Sequence, residues 1–271
     1  MEKNRDRGNC LLAAVMYAAM VLVNILANTL RLGGVTTAEI SAKYQNLFTP
    51  AASTFAIWGA IYLLLAVYTV YQLDLFHRSR GGGGFCSTEL TRQIAPWYAL
   101  SSLMNMLWVI AWQYNLIIVS VLLMAVLLYS LVQIMRMLCN IRLCLKERLC
   151  VRLPFSVYLA WIFVAAIANI AVLLVSLHWN GWGISREIWT VIALALGAGL
   201  GIAAMILCRN IAFGLVLIWA YGGILQQHAS PIGWDLQYPS VVTALLICLL
   251  LFVVAIGYLL FEKKKKPCPA E

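Results

Sequence analysis

The 271-residue chain is 63% hydrophobic and 11% charged, with a formal net charge of +9. A soluble domain carries roughly 25% charged residues, so this composition excludes a water-soluble globular protein and makes lipid the solvent for most of the surface. Its apolar runs are about 20 residues long and continuous, which excludes an outer-membrane barrel of short alternating segments and requires helices.

Hydropathy predicts eight spans, approximately Cys10 to Leu30, Ser53 to Leu73, Ala95 to Trp112, Leu116 to Met137, Leu153 to Leu177, Ile188 to Cys208, Ile211 to Gln226 and Pro239 to Phe261. The third and seventh are short. The first follows Glu2, Lys3, Arg5, Asp6 and Arg7, a flank like that of a signal peptide. Its apolar stretch exceeds the core of such a peptide, so a retained helix is expected. The glycine run Gly81 to Gly84 has no phosphate-binding pattern around it and reads as a flexible connector. In the sixth span, Gly197, Gly199 and Gly201 suit close packing of one helix on another.

Charge orients the spans. With a cytoplasmic N-terminus, the inner segments hold Lys3, Arg5 and Arg7; Arg78, Arg80 and Arg92; Arg136, Arg142, Lys146, Arg148 and Arg152; Arg209; and Lys263 to Lys266. The outer segments hold only Arg31, Lys43 and Arg186. This positive-inside bias predicts a multi-pass protein of the cell membrane with both termini in the cytoplasm. Contact with anionic headgroups accounts for the basic balance without a nucleic-acid partner. On that topology no cysteine lies in an outer loop, so no disulfide is expected.

No acidic residue sits inside a span; Glu39, Asp74, Glu89, Glu147, Glu187, Asp235 and Glu262 fall in loops or at helix edges. That weighs against a proton-coupled mechanism, which needs a group whose charge changes within the bilayer. No HExxH is present; His178, Glu187, His228 and Asp235 fall on the outer side of this topology and could bind a metal, but scattered interfacial polar residues are the commoner meaning of such a set, and no metal site is assigned.

The spans do carry aromatic rings and carboxamides on shared faces. Phe55, Trp58 and Tyr62 lie on one face of the second span; Asn105, Trp108 and Trp112 on one face of the third; Trp161, Ala165 and Asn169 on one face of the fifth. An amide in hydrocarbon needs a partner, so Asn105 and Asn169 should point inward. Asn24 and Asn28 read as interhelical glue. Together the three faces could line a pocket for a flat apolar ligand with polar edges.

The same residues resemble the TspO/MBR family of tryptophan-rich sensory and translocator proteins. Pro50, Trp58 and Tyr62 within TPAASTFAIWGAIY, Asn105 and Trp108 within LMNMLW, and Tyr158 and Trp161 followed by Ala165 and Asn169 carry the likeness, over about residues 10–180. Pro50 stands alone where the family often has a Pro-Pro pair, and the family's Trp after Asn169 is missing. The resemblance implies a five-helix bundle over residues 1–180; hydropathy, which makes the whole chain all-α, adds outside that common core a three-helix extension with a polybasic tail over 181–271. The resemblance also implies a ligand pocket of Trp58, Tyr62, Asn105, Trp108, Tyr158, Trp161, Ala165 and Asn169 under a lid holding Tyr44, Phe48 and Pro50. The implied ligand is a porphyrin or haem-like tetrapyrrole, bound without any required cofactor by a sensor or regulator, commonly a homodimer. Two other readings stay open: a transporter of a small hydrophobic solute, and an enzyme that degrades porphyrin. No acid–base pair in the sequence supports the latter.

Overall fold

The computed structural model describes residues 2–31, 34–73, 89–139 and 141–265. Among these residues there is no strand, and eight helices are long and apolar enough to cross a membrane. The spanning helices are α1 (Glu2–Thr29), α3 (Ile57–Gln72), α4 (Glu89–Gln113), α5 (Ile117–Cys139), α7 (Leu153–Ser176), α8 (Arg186–Leu207), α9 (Ile211–Ala229) and α10 (Pro239–Lys265). A short α2 (Thr37–Lys43) precedes α3, and a one-turn α6 (Leu145–Glu147) leads through a π-helical turn into α7. The all-α, eight-span reading therefore holds. Gly81 to Gly84 lie outside the described residues.

The third span, expected to be short, is in fact long: α4 begins at Glu89, and Pro96 sits inside it without ending it. Its first turn is polar and lies beyond the apolar window, so hydropathy alone stopped too soon. The turns closing α4, α7 and α8 share one local solution. Asn115, His178 and Arg209 take positive φ values of 57, 53 and 48°. Each then lets the following N–H reach back five residues, as in Leu116 N to Ala111 O at 2.8 Å and Asn210 N to Met205 O at 2.9 Å, which satisfies the last carbonyls of the helix.

The first five spans pack as α1 on α4, α4 on α5, α5 on α7 and α7 on α3. Helices α8, α9 and α10 pack on one another and meet the rest chiefly through α7 and α9. That joint is polar as well as apolar. The Asn210 side chain accepts from Phe213 N at the start of α9 and donates to Ser156 Oγ on α7 at 2.7 Å. A Cβ on Gly197 would lie 2.7 Å from Tyr221 Oη, and one on Gly201 would lie 2.6 Å from Leu217 Cδ1. Two of the three glycines thus bring α8 against α9, while Gly199 meets nothing within 4 Å.

The expectation of no disulfides is overturned. Cys139 at the end of α5 and Cys208 after α8 are bonded to each other, with Cα atoms 5.1 Å apart, and Cys10 is disulfide-bonded too. The two partners are 69 residues apart in sequence; only the packing of the bundle brings these two helix ends together.

Candidate functional site

Trp58 of α3 sits at the middle of a group of rings drawn from three helices. Its centroid lies 6.4 Å from Trp108 on α4, and 6.2 and 6.3 Å from Tyr158 and Trp161 on α7. Trp108 stacks on Trp112 at 5.6 Å, and Phe55 stands edge-on to Trp161 at 5.9 Å. These spacings suit offset and edge-to-face contact between aromatic rings. The helical repeat places them there: one face of each helix turns inward.

Between the rings lies a chamber of about 50 Å³. Trp58, Trp108, Trp161, Ala165 and Asn169 line it, with Pro50 over the top. Three further residues of the expected set stand behind that wall. Tyr62 stacks on Trp58 at 5.5 Å, Tyr158 is fully buried with its hydroxyl facing Met20, and Asn105 accepts from Asn24 Nδ2 at 2.9 Å. Asn105 therefore ties α4 to α1, and Asn24 is interhelical glue. The set implied by the resemblance leaves out Phe55, Trp112, Thr37 and Ser41, although all four line the chamber. Phe55 and Trp112 already stood on the inward faces; Thr37 and Ser41 belong to α2, which hydropathy does not register.

The polar groups are sorted into partnered and free. Trp108 Nε1 donates to Asn169 Oδ1 at 3.2 Å, and Asn169 Nδ2 donates to Ser120 Oγ at 3.0 Å. Trp112 Nε1 donates to the Thr37 carbonyl at 3.1 Å, fastening α2 over the chamber. Trp161 differs: its ring is 3% exposed, it lines the chamber, and its Nε1 has no hydrogen-bond partner. An unpaired buried N–H costs about 1–3 kcal/mol, so this donor favours a guest that carries an acceptor.

The lid runs from α2 through Tyr44–Pro50 to a 3-10 turn at Ala52–Ala56. It begins with a capping box: Glu39 N donates to Thr36 Oγ1, and Thr36 N donates to Glu39 Oε2 at 2.6 Å. The Thr36 N–H, helped by the Arg31 guanidinium, holds the Glu39 carboxyl below its ordinary range. Tyr44 leans outward, its hydroxyl 3.4 Å from Asn115 Oδ1. Phe48 is buried, edge-on to Tyr221 of α9 at 6.5 Å. Beyond the lid lies a second cavity of about 170 Å³, where Gln45, Asn46, Thr49 and Gln227 share the lining with apolar residues such as Phe55, Ile232 and Trp234. It shares Ser41, Pro50 and Phe55 with the aromatic chamber.

Two of the four histidines and acids expected on one side have partners of their own. His228 is buried against Leu47, and Glu187 accepts from Ser240 Oγ at 2.7 Å.

Compared with known proteins, residues 10–258 match the family described as TSPO-like protein. The matched span runs well past residue 180 and takes in α8 and α9 and most of α10. No curated protein and no solved structure matches the chain.

Proposed function

We infer that this chain, which belongs to the TSPO-like protein family, is a membrane receptor whose indole-lined chamber takes flat apolar ligands with polar edges. Tetrapyrroles such as porphyrins are the ligand class that the resemblance brings with it, and sensing or regulation is the role. The observation that carries this reading is Trp161, which lines the aromatic chamber and whose buried N–H has no partner. Faces of three indoles offer stacking surface for a planar guest, and the free N–H offers one fixed point for its orientation.

At about 50 Å³ the chamber holds a few waters, far short of the roughly 300–1,000 Å³ of small-molecule pockets. Binding a macrocycle therefore goes with outward movement of the lid and rotation of the Trp58 ring. The basic residues of the loops support an orientation with both termini in the cytoplasm of a plasma-membrane protein, which puts the lid on the outside. The pairing of two copies, common in the family, belongs to the same proposal.

Titration of the purified protein with protoporphyrin, read by quenching of tryptophan fluorescence, tests the reading. Saturable quenching is expected, with Trp161→Phe weakening affinity about three- to tenfold for loss of one hydrogen bond. Linear quenching, identical in folded wild type and variant, would mean partitioning into detergent and no pocket.

A further inference from the structure

The lid is bonded along its length to one face of α9. His228 Nε2 donates to the Leu47 carbonyl at 2.9 Å, and Ala51 N donates to the Gly223 carbonyl at 2.9 Å. Ser53 Oγ donates to Gln226 Oε1 at 3.1 Å, and Trp219 Nε1 donates to the Thr54 carbonyl at 2.9 Å. Residues 219, 223 and 226 follow the helical repeat, so a single stripe of α9 meets the chain from Ala51 to Thr54.

The approach is close enough to require glycine. A Cβ at position 223 would stand 2.0 Å from Thr54 Oγ1 and 2.8 Å from Thr54 Cβ. The His228 ring is held in place by the turn that follows α9. Trp234 stacks on it at 6.3 Å, Tyr238 meets it edge-on at 6.2 Å, and the imidazole is fully buried.

The same helix also docks on α7. That joint has its own bonds at the other end of the helix, Asn210 to Ser156 and Phe213 against Phe163 at 6.1 Å. The lid contacts begin further along α9, at Trp219.

We infer that α9 acts as a clamp on the lid, with His228 and Trp219 as positioning residues and Gly223 as the point of contact. Pro50 and Phe55 belong to the clamped segment and also form the partition between the chamber and the outer cavity. Release of the clamp opens that partition. Its bearing on ligand access rests on the receptor reading above; the clamp itself does not.

Hydrogen–deuterium exchange of the full chain in nanodiscs tests the clamp without any ligand. The Ala51 amide, bonded to Gly223, is a reporter inside the segment 44–56. His228→Phe keeps the ring and removes the donor, and Trp219→Phe does the same at a half-exposed site. The double variant should exchange in 44–56 on the order of tenfold faster, from two lost hydrogen bonds, with α4 and α7 unchanged. Gly223→Ala should do the same by pushing Thr54 away. His228→Gln, whose amide nitrogen can reach the Leu47 carbonyl, should restore protection that His228→Phe lacks. Wild-type exchange in both the double variant and Gly223→Ala would overturn the proposal. So would acceleration spread equally over α4 and α7, which would make these residues general supports of the fold.

Discussion

Trp108 on α4 donates its indole N–H to Asn169 on α7 at 3.2 Å, and the same amide reaches Ser120 on α5. One carboxamide thus joins three helices at the wall of the chamber. Asn169→Leu would leave the buried Trp108 N–H and Ser120 hydroxyl without this partner. Hydrogen bonds between membrane helices contribute about 0.6 kcal/mol on average and up to about 1.7, so a loss of about 1–2 kcal/mol is expected in a reversible unfolding titration. Ser120→Ala should lose about 0.5 kcal/mol. Equal midpoints for wild type and Asn169→Leu would show that the bridge adds nothing.

The glycines of α8 give a contrast within one helix. Gly201→Val must displace Leu217, whose Cδ1 lies 2.6 Å from the position of a new Cβ, and overpacking of this kind costs about 1–3 kcal/mol. Gly199→Ala meets nothing within 4 Å and should be neutral or slightly stabilising, since alanine is the better helix former. Melting temperatures in detergent decide it; the pattern fails if the two substitutions behave alike.

Much of this arrangement was legible in the sequence because bilayer thickness fixes helix length. All eight predicted spans overlap the observed ones, and the inward faces of α3, α4 and α7 carry the rings that meet at Trp58. What hydropathy could not give is anything set by contacts between distant segments. The polar helix α2 supplies Thr37 and Ser41 to the chamber but is too short and too polar to register. Asn105 was placed in the pocket by its motif, and the structure uses its carbonyl oxygen to hold Asn24. Cys139 and Cys208 carry no spacing signature; two helix ends had to meet before they could bond. His228 looked like an isolated interfacial residue until the lid folded over it.

Acidity acts on the lid through Glu39. Its carboxyl lies below the ordinary range because the Thr36 N–H and Arg31 favour the charged form. A depressed folded-state value means that the cap's contribution is present above the ordinary carboxylate value and is lost as pH falls through the lower, folded one. Lowering pH from 7 to about 5 should therefore leave the Thr36 and Glu39 amides protected, with opening only below about pH 4. Amide exchange across this range checks the sign. Opening already near neutral pH would show that the carboxylate does not hold the cap.

The disulfide bears on orientation. The Cys139–Cys208 bond lies on the face that carries the N-terminus, the face proposed above to be cytoplasmic. Cytoplasmic thiols are kept reduced, so on the proposed orientation the bond forms only on exposure to an oxidant, and rapid alkylation of intact cells should trap both cysteines as free thiols. Recovery of the bonded form from living cells would place this face in an oxidising compartment and reverse the orientation.

The central claim is that a planar guest occupies the space between Trp58, Trp108 and Trp161. Ala165 lines that space and is half-buried, so Ala165→Phe would fill a chamber of about 50 Å³ with a benzyl group while leaving every named hydrogen bond in place. Protoporphyrin binding to wild type and Ala165→Phe, measured side by side with folding checked by circular dichroism, is the most direct test. The account predicts saturable binding to wild type and a loss of at least tenfold in affinity in the folded variant. Equal affinities would contradict it and place the ligand elsewhere on the protein.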